Sequence, residues 1–241
     1  MPDTSIPAAR GRAAYRSAAR TLVEVVGAVP AGAWDLPALG DWTARELTGH
    51  ALRAFTTVES YLAVGGEAPV DLASPEAYFR AALGAAGSDV HRAVYERGVA
   101  AGAELADPVA TVSEVAERVL ALVEATPDDA VAGTSFGTIR LADYLPTRVV
   151  ELVVHGLDLA RATGVAVEGP QPPGPHGGPG AGPLGGDGSR TRSQGGPVPV
   201  DPDVADLVVG LLVRVRPETT VAVVLALTGR EPLPAGFNVL G

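Results

Sequence analysis

Hydrophobic and polar positions along the chain predict helices far more often than strands. Apolar residues recur at three- and four-residue spacing over long stretches, which is typical of helices with one buried face. We predict helices at residues 7–28, 43–64, 74–83, 88–105, 107–126, 143–163, 202–215 and 218–227. Long helices with few strands predict an all-α antiparallel helix bundle, in which sites form between facing helices.

Local signals fix some boundaries of these helices. Thr43 followed by Glu46 predicts a capping box, across which Trp42 can pack on Leu47. Asp143 is a suitable cap for the helix at 143–163, which would leave the proline at position 146 in its first turn. The glycine-containing stretch at 131–139 predicts a small hairpin or a loop.

A polar stripe runs along the helix predicted at 143–163, and the rest of the chain is organised around it. The stripe recurs at three- and four-residue spacing and consists of Arg148, Glu151, His155 and Asp158. The positions between them are apolar, so the helix is buried and the stripe faces the protein interior. Buried charges must pair with each other or bind a metal. Glu151 and His155, four apart, suit a divalent cation such as zinc.

The residues alone leave a second interpretation of the stripe open. It would be a structural network, in which Arg148 pairs with Glu151 and Asp158 pairs with Arg161 or a backbone group. His50, on the inner face of the helix at 43–64, is by position alone more often a core or surface histidine than a ligand.

One segment divides the chain. Residues 169–197 are mostly Gly and Pro without periodicity, so they cannot bury a core and are predicted to be a disordered linker. We expect a helix-bundle domain at 1–168 and, after the linker, a short helical extension at 198–241 that packs on the bundle. The residues after 227 are predicted to be extended and to cross the bundle.

Composition excludes several classes of function. The net charge of the 241 residues is −10, which argues against nucleic acid or an anionic membrane surface as the main partner. There is no Cys, so disulfides, a Cys nucleophile and Cys metal ligands are excluded, and thiol chemistry needs an external thiol. Without a signal-peptide core or a membrane-spanning run, we expect a soluble cytoplasmic protein. The basic residues are all Arg, and the composition indicates a GC-rich bacterial genome.

Three segments together resemble a known family. They are residues 41–50 (DWTARELTGH), 148–160 (RVVELVVHGLDLA) and 227–234 (LTGREPLP). They are similar to the mycothiol-dependent maleylpyruvate isomerase family, within the DinB-like four-helix-bundle superfamily. The resemblance covers nearly all of the chain except the Gly/Pro-rich segment. It implies a DinB-like antiparallel four-helix bundle with a short C-terminal helical extension, and an actinobacterial source.

The resemblance also implies a site. By the order of ligands in that family, His50, Glu151 and His155 would bind a divalent metal, with zinc expected, and mycothiol would be the cosubstrate. Asp158 would accept a ring N–H from His155, Arg148 would pair with the stripe or bind a substrate carboxylate, and Arg230 would close over the bundle end.

The expected function is isomerisation or S-transfer on a small electrophile, with a low-molecular-weight thiol as the nucleophile. Two alternatives remain at this point. One is a metal-dependent hydrolase that uses bound water, and the other is a metal-stabilised bundle that serves as a binding or regulatory module. We expect a monomer or a small homo-oligomer.

Overall fold

A computed structural model describes residues 5–85, 87–168, 196–228, 230–233, 235 and 237, and these residues are mostly helical. The α-helices are α1 (Ala8–Ala28), α2 (Ala44–Ala51), α3 (Arg53–Gly65), α4 (Pro75–Ala85), α5 (Ser88–Glu104), α6 (Pro108–Ala125), α7 (Leu141–Thr163), α8 (Pro202–Val215) and α9 (Thr220–Leu227). The strands are β1 (Pro37–Leu39), β2 (Trp42–Thr43), β3 (Val131–Thr134), β4 (Gly137–Arg140), β5 (Val167–Glu168) and β6 (Val198–Pro199). Short 3₁₀ turns span Ala31–Ala33 and Pro217–Thr219.

The all-α prediction is confirmed, and among the differences in helix boundaries two concern the helices that carry His50 and the polar stripe. The single helix predicted at 43–64 is divided at Leu52 into α2 and α3. There the amide of Phe55 bonds to the Leu52 carbonyl, 3.0 Å away, which is a 3₁₀-type bond that tightens the helix. Helix α7 begins before the predicted cap Asp143, whose carboxylate instead accepts a hydrogen bond from Arg140 at 3.0 Å. Pro146 therefore lies in the second turn of α7.

Helix α7 lies at the centre of the core. It packs against five other helices, α1, α2, α3, α4 and α8. Most of its apolar positions are buried, together with Tyr15 and Leu22 of α1 and Phe55 of α3, but the pattern is wrong for Leu157, which is 44% exposed. Each such side chain contributes roughly 1.5–3 kcal/mol on burial. A helix enclosed in this way must direct its polar stripe inward.

Strands β3 and β4 form the hairpin that the glycines at 131–139 suggest. They pair antiparallel from Val131 opposite Arg140 to Thr134 opposite Gly137. The hairpin lies against the end of α3, where a Cβ on Gly65 would be 1.8 Å from the Val131 carbonyl oxygen. Only glycine permits this approach.

The C-terminal segment is joined to the bundle by a strand pair and by α8. Strands β5 and β6 pair in parallel on either side of the Gly/Pro-rich segment, whose residues 169–195 lie outside the described part of the chain. One face of α8 is buried against α1, α4 and α7. In contrast, none of the residues of α9 is buried, and residues 230–233 and 235 are exposed.

An ion pair between α4 and α8 predicts a pH-dependent contribution to stability. Arg214 Nε lies 2.6 Å from Glu76 Oε1. Burial alone would raise the pKa of Glu76, but the hydrogen bond from Arg214 lowers it. A carboxyl with a lowered folded-state pKa stabilises the fold above its unfolded pKa, and this stabilisation is lost as the pH falls through the folded pKa.

We therefore expect Glu76→Gln to reduce the free energy of unfolding by about 1 kcal/mol at neutral pH, because one charge-assisted bond is lost. The reduction should vanish in acid, where the wild-type carboxyl is protonated. Urea unfolding at both pH values measures this, with the exposed Glu67→Gln as control. An equal loss of unfolding free energy in Glu76→Gln at both pH values would contradict a stabilising ion pair between Glu76 and Arg214.

Candidate metal centre and adjoining cavity

Three side chains from two helices converge in the core. His50 lies in the second turn of α2, and Glu151 and His155 lie one turn apart on α7. Each offers one ligand atom, and these atoms lie within 4.8 Å of one another. His155 Nε2 is 3.2 Å from Glu151 Oε2. Helix spacing brings Glu151 and His155 together, whereas the packing of α2 against α7 brings His50 to them.

The predicted capping box fixes the helix that carries His50. The Glu46 amide donates to Thr43 Oγ1 at 3.3 Å, and the Thr43 amide donates to Glu46 Oε2 at 2.8 Å. This reciprocal cap sets where α2 begins, and therefore where its second turn lies. His50 then faces α7, with its ring centroid 4.8 Å from that of His155.

The three groups have strongly shifted proton affinities. Burial alone would raise the pKa of Glu151, but the hydrogen bond with His155 and the charge of Arg148 lower it to about 2. Burial would lower the pKa of His155, but the Asp158 and Glu151 carboxylates raise it to about 9. Burial, together with the charge of His155, lowers the pKa of His50 to about 4. At neutral pH, without a metal, a proton on His155 balances Glu151 and His50 is uncharged.

The donor set fits a divalent cation. Two imidazoles and one carboxylate are the ligand types of catalytic zinc sites, which keep a further position open. Nδ1 of His50 and Nδ1 of His155 are both buried without a hydrogen-bond partner among the described residues. Asp158 Oδ2 is 3.7 Å from His155 Nδ1, close enough to attract its N–H but too far for the predicted hydrogen bond.

Arg148 does not form the ion pair with Glu151 that the stripe suggested. Among the described residues no carboxylate lies within 4.0 Å of its guanidinium, although the side chain is only 6% exposed. Its guanidinium carbon lies 4.8 Å from the ring centroid of Tyr144 and 5.3 Å from that of Tyr78, whose hydroxyl accepts a hydrogen bond at 3.3 Å. These aromatic faces attract the cation away from Glu151.

A buried cation with no carboxylate in direct contact is unfavourable unless a further anion can reach it. Such an anion has a place to bind, because Arg148 lines a cavity of about 370 Å³ beside the three converging side chains. The lining also includes His50, Glu151, Arg53, Arg97, Tyr61, Tyr78, Ser135 and Phe136. Three arginines and one carboxylate make the cavity cationic in a chain of net charge −10.

The other two arginines of the cavity, Arg53 and Arg97, were not predicted from the sequence. Arg53 lies three residues after His50, so helical spacing was a usable signal for it. Arg97 lies on α5, which forms one wall of the cavity, and nothing in the sequence indicated its position. Helix α5 packs closely on α2 through glycine, since a Cβ on Gly49 would be 2.5 Å from the amide of Gly102.

Arg230 is not part of this cavity lining. Its side chain is exposed, and its guanidinium lies 3.5 Å from the Thr228 carbonyl oxygen of its own segment. The described residues thus bring five of the six predicted site residues to one place, and Arg230 lies apart from them.

Comparison with known proteins supports the family indicated by the sequence motifs. No curated protein and no solved structure was found to match the chain. No described helix combines the length and the apolar character needed to cross a membrane. The family described as "Mycothiol maleylpyruvate isomerase N-terminal domain" matches residues 15–160, more than half of the chain and all three converging side chains. The chain therefore belongs to the mycothiol maleylpyruvate isomerase N-terminal domain family.

Proposed function

We propose that the protein is a cytoplasmic, divalent-metal-dependent enzyme that uses a low-molecular-weight thiol such as mycothiol. It acts on a small, carboxylate-bearing electrophile, by isomerisation or by S-transfer. The observation that carries this proposal is the convergence of His50, Glu151 and His155 beside a cavity. His50 and Glu151 line that cavity together with Arg148, which forms no ion pair with a described residue. We further assign α1, α3, α6 and α7 as the four antiparallel helices of a DinB-like bundle.

In this proposal His50, Glu151 and His155 hold the metal, with zinc expected from the ligand types. The bound cation supplies positive charge that favours the thiolate, which is the reactive form of a thiol. The chain contains no Cys, so the thiol must come from solution, and the family name supports mycothiol.

The protein's own groups orient the reactants. The Asp158 carboxylate, 3.7 Å from His155 Nδ1, favours the tautomer in which Nδ1 carries the proton and Nε2 faces Glu151. Arg148 is directed into the cavity as a binding group for a carboxylate. Arg53 and Arg97 add positive charge to the lining, so an anionic substrate is attracted and held beside the thiolate.

The test is turnover by the zinc-loaded protein with and without thiol. We expect turnover of maleylpyruvate or of another unsaturated carboxylate to require mycothiol, and to fall at least about 10²-fold when the thiol is omitted, since water is then the only nucleophile. Glutathione, a thiol of different size and charge, is the matched control for thiol identity. Removal of zinc with a chelator should also abolish turnover.

Two results would contradict the proposal. Metal-dependent turnover without any thiol would favour the hydrolase. Zinc binding that raises thermal stability, with no thiol binding and no turnover, would favour the non-enzymatic module.

A further inference from the structure

The imidazole of His50 lacks the usual support of a metal-binding histidine. Such residues almost always donate their second ring N–H to a carboxylate, a carbonyl or a water, which fixes the orientation of the ring. Nδ1 of His50 is buried and forms no hydrogen bond with a described residue. Some other contact must therefore hold this ring.

Trp42 makes that contact. Its ring is stacked on the imidazole of His50, with centroids 4.6 Å apart and an interplanar angle of 29°. The indole is only 8% exposed, and stacked rings of this kind attract each other beyond the effect of burial. No other ring contact of His50 among the described residues is parallel, because His155 meets it edge-on at 81°.

The indole is itself held in place from the other side. Its Nε1–H donates to the Tyr95 carbonyl of α5 at 3.2 Å. A Cβ on Gly98 would lie 2.7 Å from three atoms of the indole, so only glycine lets α5 approach this closely. Trp42 is thus fixed by α5, the helix whose Val94 and Arg97 line the cavity.

We propose that Trp42 is a positioning residue, which holds the imidazole of His50 toward Glu151 and His155 by stacking. This inference rests on the proposed metal site, but not on the proposed reaction. Stacking replaces the missing hydrogen bond, and α5 thereby supports both the cavity wall and one side of the metal site.

The test measures zinc affinity of the metal-free protein against a competing chelator, in variants matched for burial. We expect Trp42→Leu to weaken zinc binding about 10- to 100-fold, as loss of a group that orients a ligand does. Trp42→Phe keeps an aromatic ring that can stack on His50, so its zinc affinity should fall by less than about threefold. Trp34→Leu is the control, because Trp34 is also 8% exposed but has Arg45 over its ring instead of a histidine.

A double-variant cycle separates positioning from general loss of structure. In a His50→Ala background, Trp42→Leu should cause no further loss of zinc affinity. The visible spectrum of the Co²⁺-loaded protein should change in Trp42→Leu and not in Trp34→Leu, because only the former alters the ligand geometry. Trp42→Met, which is apolar and flexible, replaces the Leu variant if that one does not fold.

The possible outcomes are distinct. The role of Trp42 would be overturned, and the proposed function left intact, by either of two results. One is an equal loss of zinc affinity in Trp42→Leu and Trp34→Leu, and the other is an undiminished loss of zinc affinity on Trp42→Leu in the His50→Ala background. If Trp42→Leu weakens zinc binding but the wild type shows no thiol-dependent turnover, the positioning role of Trp42 is supported and the proposed function is overturned. A wild-type protein that takes up no zinc would overturn both.

Discussion

Replacing Glu151 or His155 with Ala is expected to remove the metal from the protein and to abolish thiol-dependent turnover. Each residue supplies one of three ligand atoms that lie within 4.8 Å of one another. We expect metal affinity to fall at least about 10³-fold, which exceeds the roughly 10- to 100-fold loss typical when a group that only supports a ligand is removed. Elemental analysis of protein purified without a His-tag measures the metal content, competition with a chelator measures the metal affinity, and turnover is assayed in parallel.

Two variants calibrate this result. Asp158→Asn removes a carboxylate that lies next to the ligand His155 but is not itself a ligand. We therefore expect it to weaken metal binding by about 10- to 100-fold. Glu24→Ala alters an exposed carboxylate on α1 and should leave the metal content unchanged. Full metal content in both Glu151→Ala and His155→Ala would identify the polar stripe as a structural ion-pair network.

Replacing Arg148 with Met is expected to reduce kcat/KM for a carboxylate electrophile by roughly 10²-fold, because hydrogen bonds to a charged group contribute about 1.5–3 kcal/mol. For the uncharged methyl ester of the same electrophile, kcat/KM should fall by less than about threefold, since the ester offers no negative charge to Arg148. Lys at this position keeps the charge but not the planar fork, so Arg148→Lys should restore only part of the activity. Metal content should not change in either variant.

Stability distinguishes this role from a structural one. Replacing buried charged groups with apolar residues of similar volume is often neutral or stabilising, because the desolvation of a charge is unfavourable. Arg148→Met should therefore unfold at the wild-type denaturant concentration or above it. A large loss of stability, with equal losses of kcat/KM for the acid and the ester, would show that Arg148 supports the fold instead of binding substrate.

Interactions within one helix were within reach of sequence reasoning. Glu151 and His155 lie four apart among apolar residues, so their convergence and their inward direction follow from helical geometry alone. The capping box of Thr43 and Glu46 is equally local, and the structure confirms it. His50 is about a hundred residues from Glu151, and only the family resemblance linked the two.

Arg148 shows why the same reasoning fails for a long side chain. Its spacing from Glu151 favoured an ion pair within the helix, but α4 places Tyr78 beside Tyr144 and gives the guanidinium two aromatic faces. A flexible side chain takes its partner from whatever the fold brings within reach. The sequence pattern describes neighbours along its own helix only.

The sequence by itself determined the helices, the inward polar stripe, the absence of an internal thiol and, through its motifs, the family. Only the tertiary structure decided that α2 brings His50 to α7, that a cationic cavity adjoins the site, and that the ring of Trp42 stacks on His50. The physical reason is one of range. Periodicity and capping are set by residues within a turn or two, whereas cavities, ring stacks and unpaired charges depend on how separate helices pack.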